Sequence, residues 1–170
     1  MSTDPGYTRP ATWSDVVHLA ELFAKHGVSW ALIGGYAIAS HGFVRFSEDV
    51  DVLVDPSPKN TARWIAALSE LPDRAARELA DNPELFEEAG PYAVRINDEF
   101  TVDVMPAACG HSWAELAPFI ETKTIDGCTI PVLGLEGLLL TKGGTRDRDR
   151  ADAAVLRAAL ARLRSAPTRE

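Results

Sequence analysis

The chain has 170 residues, of which 46% are hydrophobic, and its formal net charge is −8. This length fits one domain better than two, and the hydrophobic fraction is enough to build an ordinary folded core. The acidic balance argues against a passive nucleic-acid-binding module, because such modules usually carry a basic surface.

The terminal sequence and the cysteines predict a cytoplasmic protein with no membrane partner. Residues 1–6 have neither the basic start nor the apolar run of a secretory signal peptide. No stretch of the chain approaches the ~20 consecutive apolar residues that a membrane span needs. Cys109 and Cys128 are too few for a disulfide framework, so both are expected to be reduced thiols.

The first third of the chain predicts a helix, a strand and a glycine pair in succession. Thr12 can cap a helix, with Asp15 in the capping-box position, and apolar residues then recur at helical spacing. The apolar run Trp30–Ile33 is typical of a short buried strand. The glycine pair at positions 34 and 35 breaks this strand ahead of a short helix at 36–41.

Strands and helices alternate through the rest of the chain. In order, the sequence predicts a strand at 49–54, a helix at 58–71, strands at 93–96 and 100–105 joined by a turn at 97–99, two strands between 122 and 132, and helices at 135–142 and 147–164. The stretch 72–90 is expected to be helical in part. We therefore predict an α/β (α+β) fold with a mixed sheet, helices mainly on one side and a C-terminal helical segment. It forms one domain over 1–170, with a core at about 12–134 and helices at about 135–165.

Two carboxylates fall on the otherwise apolar strand at 49–54. Residues two apart on a strand face the same side, so Asp49 and Asp51 are expected to lie together while the valines between and after them enter the core. Crowded like charges on a buried strand are costly unless something compensates them. Magnesium, which binds oxygen ligands and substrate phosphates, is a suitable counter-ion. A solvated edge strand is the alternative interpretation.

Asp103 repeats this pattern on the strand at 100–105. If this strand lies beside the strand at 49–54, the three carboxylates converge on one face of the sheet. Three such carboxylates can hold two metal ions ~3.5–4 Å apart. The alternative is that Asp103 is a surface residue near a turn.

The glycine pair and the residues after it carry a family resemblance. The segments Gly34-Gly35-Tyr36-Ala37 through His41-Gly42 and Arg45-Phe46-Ser47-Glu48-Asp49-Val50-Asp51 resemble the core motif of the polymerase-β-type nucleotidyltransferase superfamily. The resemblance is to its small bacterial members, which include minimal nucleotidyltransferases and abortive-infection toxin-like proteins. Ser47 replaces the usual threonine and keeps the hydroxyl. Lys142, Arg146, Asp149 and Asp152 match a second motif, and the resemblance runs from about 30 to 156 except for 72–90.

The resemblance implies the nucleotidyltransferase fold and the transfer of a nucleoside monophosphate from an NTP to a hydroxyl acceptor. It implies that Asp49, Asp51 and Asp103 bind Mg²⁺ or Mn²⁺ in a two-metal mechanism, and that Asp103 helps to deprotonate the acceptor. The implied NTP-binding residues are Gly34, Gly35, Arg45, Ser47 and Lys142.

Several alternatives stay open at this stage. Lys142 could instead sit in solvent at a helix end, and Arg45 could neutralise the acidic cluster. Arg146, Asp149 and Asp152 could form structural ion pairs. The acceptor could be an RNA end, a protein side chain or a small molecule such as an antibiotic. The chain could also be a toxin with an antitoxin partner, could need a second subunit to complete the acceptor site, or could be a catalytically inactive nucleotide-binding or partner-binding module.

Overall fold

The computed structural model describes residues 8–90, 92–144 and 146–165, so the N-terminal residues 1–6 lie outside it. The strands are β1 (Trp30–Ile33), β2 (Val50–Val54), β3 (Val94–Asn97), β4 (Thr101–Met105), β5 (Ala107–Ala108), β6 (His111–Ser112), β7 (Ile120–Ile125) and β8 (Cys128–Leu133). The α-helices are α1 (Trp13–Lys25), α2 (Gly34–Ser40), α3 (Pro58–Leu68), α4 (Leu85–Ala89), α5 (Trp113–Leu116), α6 (Leu135–Leu140) and α7 (Asp147–Ser165). Short 3₁₀ helices cover Ala75–Leu79 and Ala117–Phe119.

Six of the strands form one mixed sheet in the order β3-β4-β2-β1-β8-β7. The central strand β1 is antiparallel to β2 and parallel to β8, and β2 is parallel to β4. Antiparallel hairpins close both edges, β3 with β4 and β7 with β8. Strands β5 and β6 form a separate small hairpin. The predicted mixed α/β sheet is confirmed.

The centre of this sheet is almost completely buried. All four residues of β1 are buried, and so is every residue of β2 except Asp51. Helix α1 packs Leu19 and Phe23 into the same core, and Thr12 and Asp15 form the predicted capping box at its start. A carboxylate at position 51 is therefore the polar exception on an apolar strand.

Several predicted boundaries are wrong by one to three residues. The second strand begins at Val50, so Asp49 precedes it, and α3 ends at Leu68 because tight turns follow it. Helix α2 begins at Gly34 itself rather than after the glycine pair. Helix α6 ends at Leu140, which leaves Lys142 in the turn that follows.

The turn between β3 and β4 also lies one residue later than predicted. The buried Asp98 carboxylate accepts the backbone N–H groups of Asp73, Ala75 and Glu99, at 2.7–3.0 Å. This contact with the segment before β3 fixes the turn, and Asn97 then pairs with Thr101. Among the described residues, no helix is long and apolar enough to cross a membrane.

Candidate active site

Gly34 lies directly against the carboxylate of Asp51. The antiparallel register pairs Ile33 with Asp51, and Gly34 follows with a φ of +71°. A Cβ atom at position 34 would lie 2.1 Å from Oδ2 of Asp51. Glycine is required here for two reasons, because a left-handed φ disfavours side chains and because the carboxylate fills the space.

The second glycine packs against the loop that leads into β2. A Cβ atom at Gly35 would lie 2.7 Å from Cβ of Ser47. The Ser47 hydroxyl donates a hydrogen bond of 2.8 Å to the backbone oxygen of Asp49. The glycine pair, Ser47 and the aspartate strand therefore form one contiguous wall.

Asp51 and Asp103 are direct neighbours on the parallel strands β2 and β4. Asp103 is only 9% exposed. Burial, followed by the charges of Asp103 and Asp49, raises the pKa of Asp51 from its ordinary 3.8 to about 7. A buried carboxyl group beside other carboxylates ionises less readily, and here this effect falls on Asp51.

Asp49 stands at the outer side of this pair, and its side chain is 37% exposed. Burial and the charge of Asp103 raise its pKa, while Arg95 opposes the shift. The structure thus brings Asp49, Asp51 and Asp103 to one cleft of about 750 Å³, which the glycine pair also lines.

Arg95, which sequence reasoning missed, pairs with two of these three carboxylates. Its Nε donates to Oδ1 of Asp103 at 2.9 Å, and its Nη2 donates to Oδ2 of Asp103 at 3.1 Å and to Oδ2 of Asp49 at 3.4 Å. Such a forked contact is the strong geometry of arginine with a carboxylate. The hydrogen bonds to Asp103 also raise the pKa of Arg95, so the guanidinium stays charged.

Arg45 does not neutralise the acidic cluster, contrary to one of the two interpretations of its role. Its Nε donates to Oδ1 of Asp152 at 3.2 Å, and its side chain lines the same cleft. Asp152 belongs to α7, so this contact joins the loop before β2 to the C-terminal helix.

Lys142 is not a solvated lysine at a helix end, so that alternative is wrong. Its side chain is 11% exposed, and Nζ lies 3.1 Å from Oδ2 of Asp152 and 3.7 Å from Oδ1 of Asp149. Asp149 also pairs with the exposed Arg146 at 3.1 Å. Two buried aspartates of α7 therefore hold Lys142 at the edge of the cleft.

The donor set suits a hard cation in its chemistry but is not arranged as a closed metal cluster. Carboxylate oxygens are the ligands that Mg²⁺ prefers, and burial beside two other aspartates raises the pKa of Asp51. Within the described residues, however, no group of three His, Cys, Asp or Glu side chains stands ready to hold a metal ion. Arg95 instead holds Asp49 and Asp103. The metal ion stays a prediction.

Asp152 should position two cations at once, and Asp152→Asn tests this role. The substitution keeps the shape but removes the charge that Arg45 and the partly buried Lys142 share. We expect the free energy of unfolding to fall by about 1–3 kcal/mol and NTP affinity to fall about tenfold. Chemical denaturation and NTP titration measure the two effects. Asp147→Asn, on the exposed start of the same helix, is the matched control, and equal behaviour of both variants would contradict this role.

The pKa of Asp51 implies a specific dependence of stability on pH. Between about pH 4 and pH 7 the folded protein keeps a proton that the unfolded chain has released, so stability should fall as the pH rises through this range. Asp51→Asn lacks this ionisation. The variant should gain on the order of 2 kcal/mol relative to the wild type between pH 5 and pH 8. Denaturation at both pH values checks this, and parallel pH profiles would contradict it.

Comparison with known proteins adds independent evidence. The family model for aminoglycoside-2''-adenylyltransferases matches residues 15–156. The chain is similar to the structure of the lincosamide antibiotic adenylyltransferase LnuA with lincomycin bound, at 14% identity and a TM-score of 0.54, over 88% of this chain and 98% of that chain. It is similar to a candidate nucleotidyltransferase from Thermotoga maritima at 14% identity and a TM-score of 0.55, over 95% of each chain. No curated protein sequence matches it.

The two structures establish the fold, and the family model extends from α1 to α7. It therefore spans the glycine pair, the three carboxylates and the aspartates that hold Lys142. The resemblance to the nucleotidyltransferase superfamily is confirmed. The chain belongs to the aminoglycoside-2''-adenylyltransferase family of nucleotidyltransferases.

Proposed function

We propose that this protein transfers a nucleoside monophosphate from an NTP to a hydroxyl group of a small cationic molecule of the aminoglycoside class. The observation that carries the proposal is the cross-strand pair of Asp51 and Asp103 beside Gly34, in a cleft that also contains the cations Arg45 and Lys142. Carboxylates for the reacting groups and cations for a triphosphate thus share one cleft.

The proposed reaction assigns a role to each wall of the cleft. The acceptor oxygen forms a bond to the α-phosphorus, the bond between that phosphorus and the bridging oxygen breaks, and pyrophosphate leaves. Asp103 takes the proton of the acceptor hydroxyl as general base. The backbone at Gly34 and Gly35 approaches the triphosphate, while Lys142 offsets the charge that develops on the leaving group.

A divalent cation, when bound, would neutralise phosphate charge and align the attacking and leaving oxygens. Asp49, Asp51 and Asp103 are the side chains that would hold it. Arg95 has to release Asp49 and Asp103 for this to happen, because its guanidinium occupies both carboxylates. Arg95 is thus a built-in counter-charge of the free protein.

The competition between Arg95 and a cation can be measured without turnover. Arg95→Gln leaves the carboxylates uncompensated, so Mg²⁺ should raise its melting temperature by several degrees more than that of the wild type. The double variant Arg95→Gln/Asp103→Asn, which lacks a carboxylate as well, should lose most of this response. Thermal melts with Mg²⁺ and with a chelator give the comparison. An equal rise in melting temperature with Mg²⁺ in the wild type and in Arg95→Gln would contradict a competition between Arg95 and the cation.

Charge favours a cationic acceptor over RNA. The net charge of −8 attracts a polycation such as an aminoglycoside and repels a polyanion. The family to which the chain belongs is named for the adenylylation of aminoglycosides, and LnuA is a lincosamide adenylyltransferase. Both are antibiotic-modifying activities, which supports a small-molecule acceptor over a protein side chain.

Label transfer from the four α-labelled NTPs with Mg²⁺ tests the proposal. The acceptor panel contains aminoglycosides and lincosamides, with total RNA and total cell protein as separate arms. We expect label in one or more aminoglycosides and none in RNA or protein. Labelled RNA would overturn the acceptor class and favour a toxin, whose partner would then be sought. NTP binding without label in any arm would favour a catalytically inactive module.

A further inference from the structure

The cleft has a second lobe beside the part that Asp49 and Asp103 line. We call the part described above the charged lobe. The hairpin lobe, of about 480 Å³, opens from the same centre, and seven residues line both lobes: Gly34, Asp51, Ala93, Met105, Lys142, Arg146 and Asp149. Its own wall is made of small or apolar residues, namely Ile33, Ala107, Ala108, Cys109, Thr141 and Gly144.

The β5–β6 hairpin forms one side of this lobe and is held in place. Its turn contains Cys109 with a φ of +49° and Gly110 with a φ of +80°. A Cβ atom at Gly143 would lie 3.0 Å from Sγ of Cys109, so the hairpin turn packs closely against the segment after α6. The lobe therefore lies between the β5–β6 hairpin and the segment after α6, which are in contact at Cys109 and Gly143.

The two lobes differ in the groups that they offer. Glu48, Asp49, Arg95, Asp103 and Arg148 line only the charged lobe. Asp103, the proposed base, lines the charged lobe and not the hairpin lobe, so the acceptor hydroxyl is expected in the charged lobe. An apolar wall with a few polar groups is typical of a small-molecule site, and the volume lies within the usual range of roughly 300–1,000 Å³.

These differences suggest where the acceptor, the triphosphate and the nucleoside would each bind. The acceptor has to meet Asp103 and therefore enters the charged lobe. The triphosphate needs the glycine pair and Lys142, where the lobes meet. We propose that the hairpin lobe binds the nucleoside of the NTP, with its base against the wall formed by Ala107, Ala108 and Cys109. This inference depends on the proposed function, since it divides the same cleft between donor and acceptor.

Narrowing the lobe separates nucleoside binding from triphosphate binding. Ala108→Phe places a ring in the hairpin lobe, whose lining includes neither Asp49 nor Asp103. We expect at least a tenfold loss of NTP affinity by calorimetry, while inorganic tripolyphosphate binds the variant and the wild type equally. Unchanged NTP affinity would overturn the inference, and so would an equal loss for both ligands. If the wild type binds neither ligand, the proposed function fails, and the inference fails with it.

Cys109 supplies a second measurement on the unsubstituted chain. This thiol is exposed in the lobe, whereas Cys128, half-buried on β8, lies outside the cleft and serves as an internal reference. Alkylation followed by peptide mass mapping reads both sites. NTP should slow the alkylation of Cys109 at least fivefold while tripolyphosphate leaves it nearly unchanged, and neither should affect Cys128. Equal alkylation of Cys109 with and without saturating NTP would overturn the inference.

Discussion

Replacement of Asp51 by asparagine is expected to reduce nucleotidyl transfer about 1,000-fold or more. The variant keeps the size of the side chain beside Gly34 but removes the charge at the centre of the carboxylate cluster. A loss of about 4 kcal/mol of transition-state stabilisation corresponds to this factor. Steady-state rates of product formation and pyrophosphate release measure it.

The stability of the variant makes this result informative. Because Asp51→Asn should gain stability relative to the wild type as the pH rises to 8, the rates are compared there, and a denaturation curve at the same pH shows that the variant is folded. Asp126→Asn is the matched control. Asp126 is exposed in the β7–β8 turn with a φ of +49°, a conformation that asparagine tolerates. Substantial turnover by Asp51→Asn, or an equal loss in Asp126→Asn, would contradict the assigned role.

Replacement of Gly34 by alanine is expected to abolish NTP binding as well as turnover. A new Cβ atom would lie 2.1 Å from Oδ2 of Asp51, so either the carboxylate or the start of α2 has to move. Both movements would displace the backbone that we propose approaches the triphosphate. We expect activity to fall at least about 100-fold, because a displacement of about 1 Å at a reacting centre has an effect of that size.

Gly127→Ala separates this clash from ordinary backbone strain. Gly127 has a φ of +77°, close to the +71° of Gly34, and a Cβ atom there would meet nothing within 4 Å. Both variants should lose about 1–2 kcal/mol of stability to the left-handed conformation. Only Gly34→Ala should also lose NTP affinity, as measured by calorimetry. Normal binding by Gly34→Ala would show that the contact with Asp51 has no functional consequence.

The parts of the site that depend on strand periodicity could be predicted from sequence. Valine alternates with aspartate in the strand at 49–54 and around Asp103. Because alternate residues of a strand face the same side, this pattern places the carboxylates on one face without knowledge of the neighbouring strand. The structure adds the register, in which Asp51 lies directly beside Asp103. The carboxylates of neighbouring strands meet because the strands are parallel and adjacent.

The role of Arg95 could not be predicted because it depends on a hairpin register. A turn at 97–99 pairs residue 95 with residue 101, whereas the observed turn pairs Arg95 with Asp103. The difference comes from Asp98, whose carboxylate binds the backbone of Asp73 and Ala75. The stretch that sequence patterns left without firm boundaries therefore sets the register of the strand pair beside it.

The ion pairs of Lys142 could not be predicted from the sequence either. Its partner Asp152 lies on the next helix, α7, and Asp152 also binds Arg45, which is 107 residues away from it in sequence. Composition and sequence spacing identify each of these charged residues but do not show which of them form ion pairs. Only the packing of α7 against α6 and the loop before β2 shows that one buried aspartate serves both cations.

The most direct test of the central claim is the mass of the acceptor after incubation with NTP and Mg²⁺. Wild type and Asp126→Asn should each add the mass of one nucleoside monophosphate to an aminoglycoside, with one pyrophosphate released per molecule modified. Asp51→Asn and Asp103→Asn should leave the acceptor unchanged. Modification that persists in both of these variants would contradict the assignment of the chemistry to this carboxylate pair.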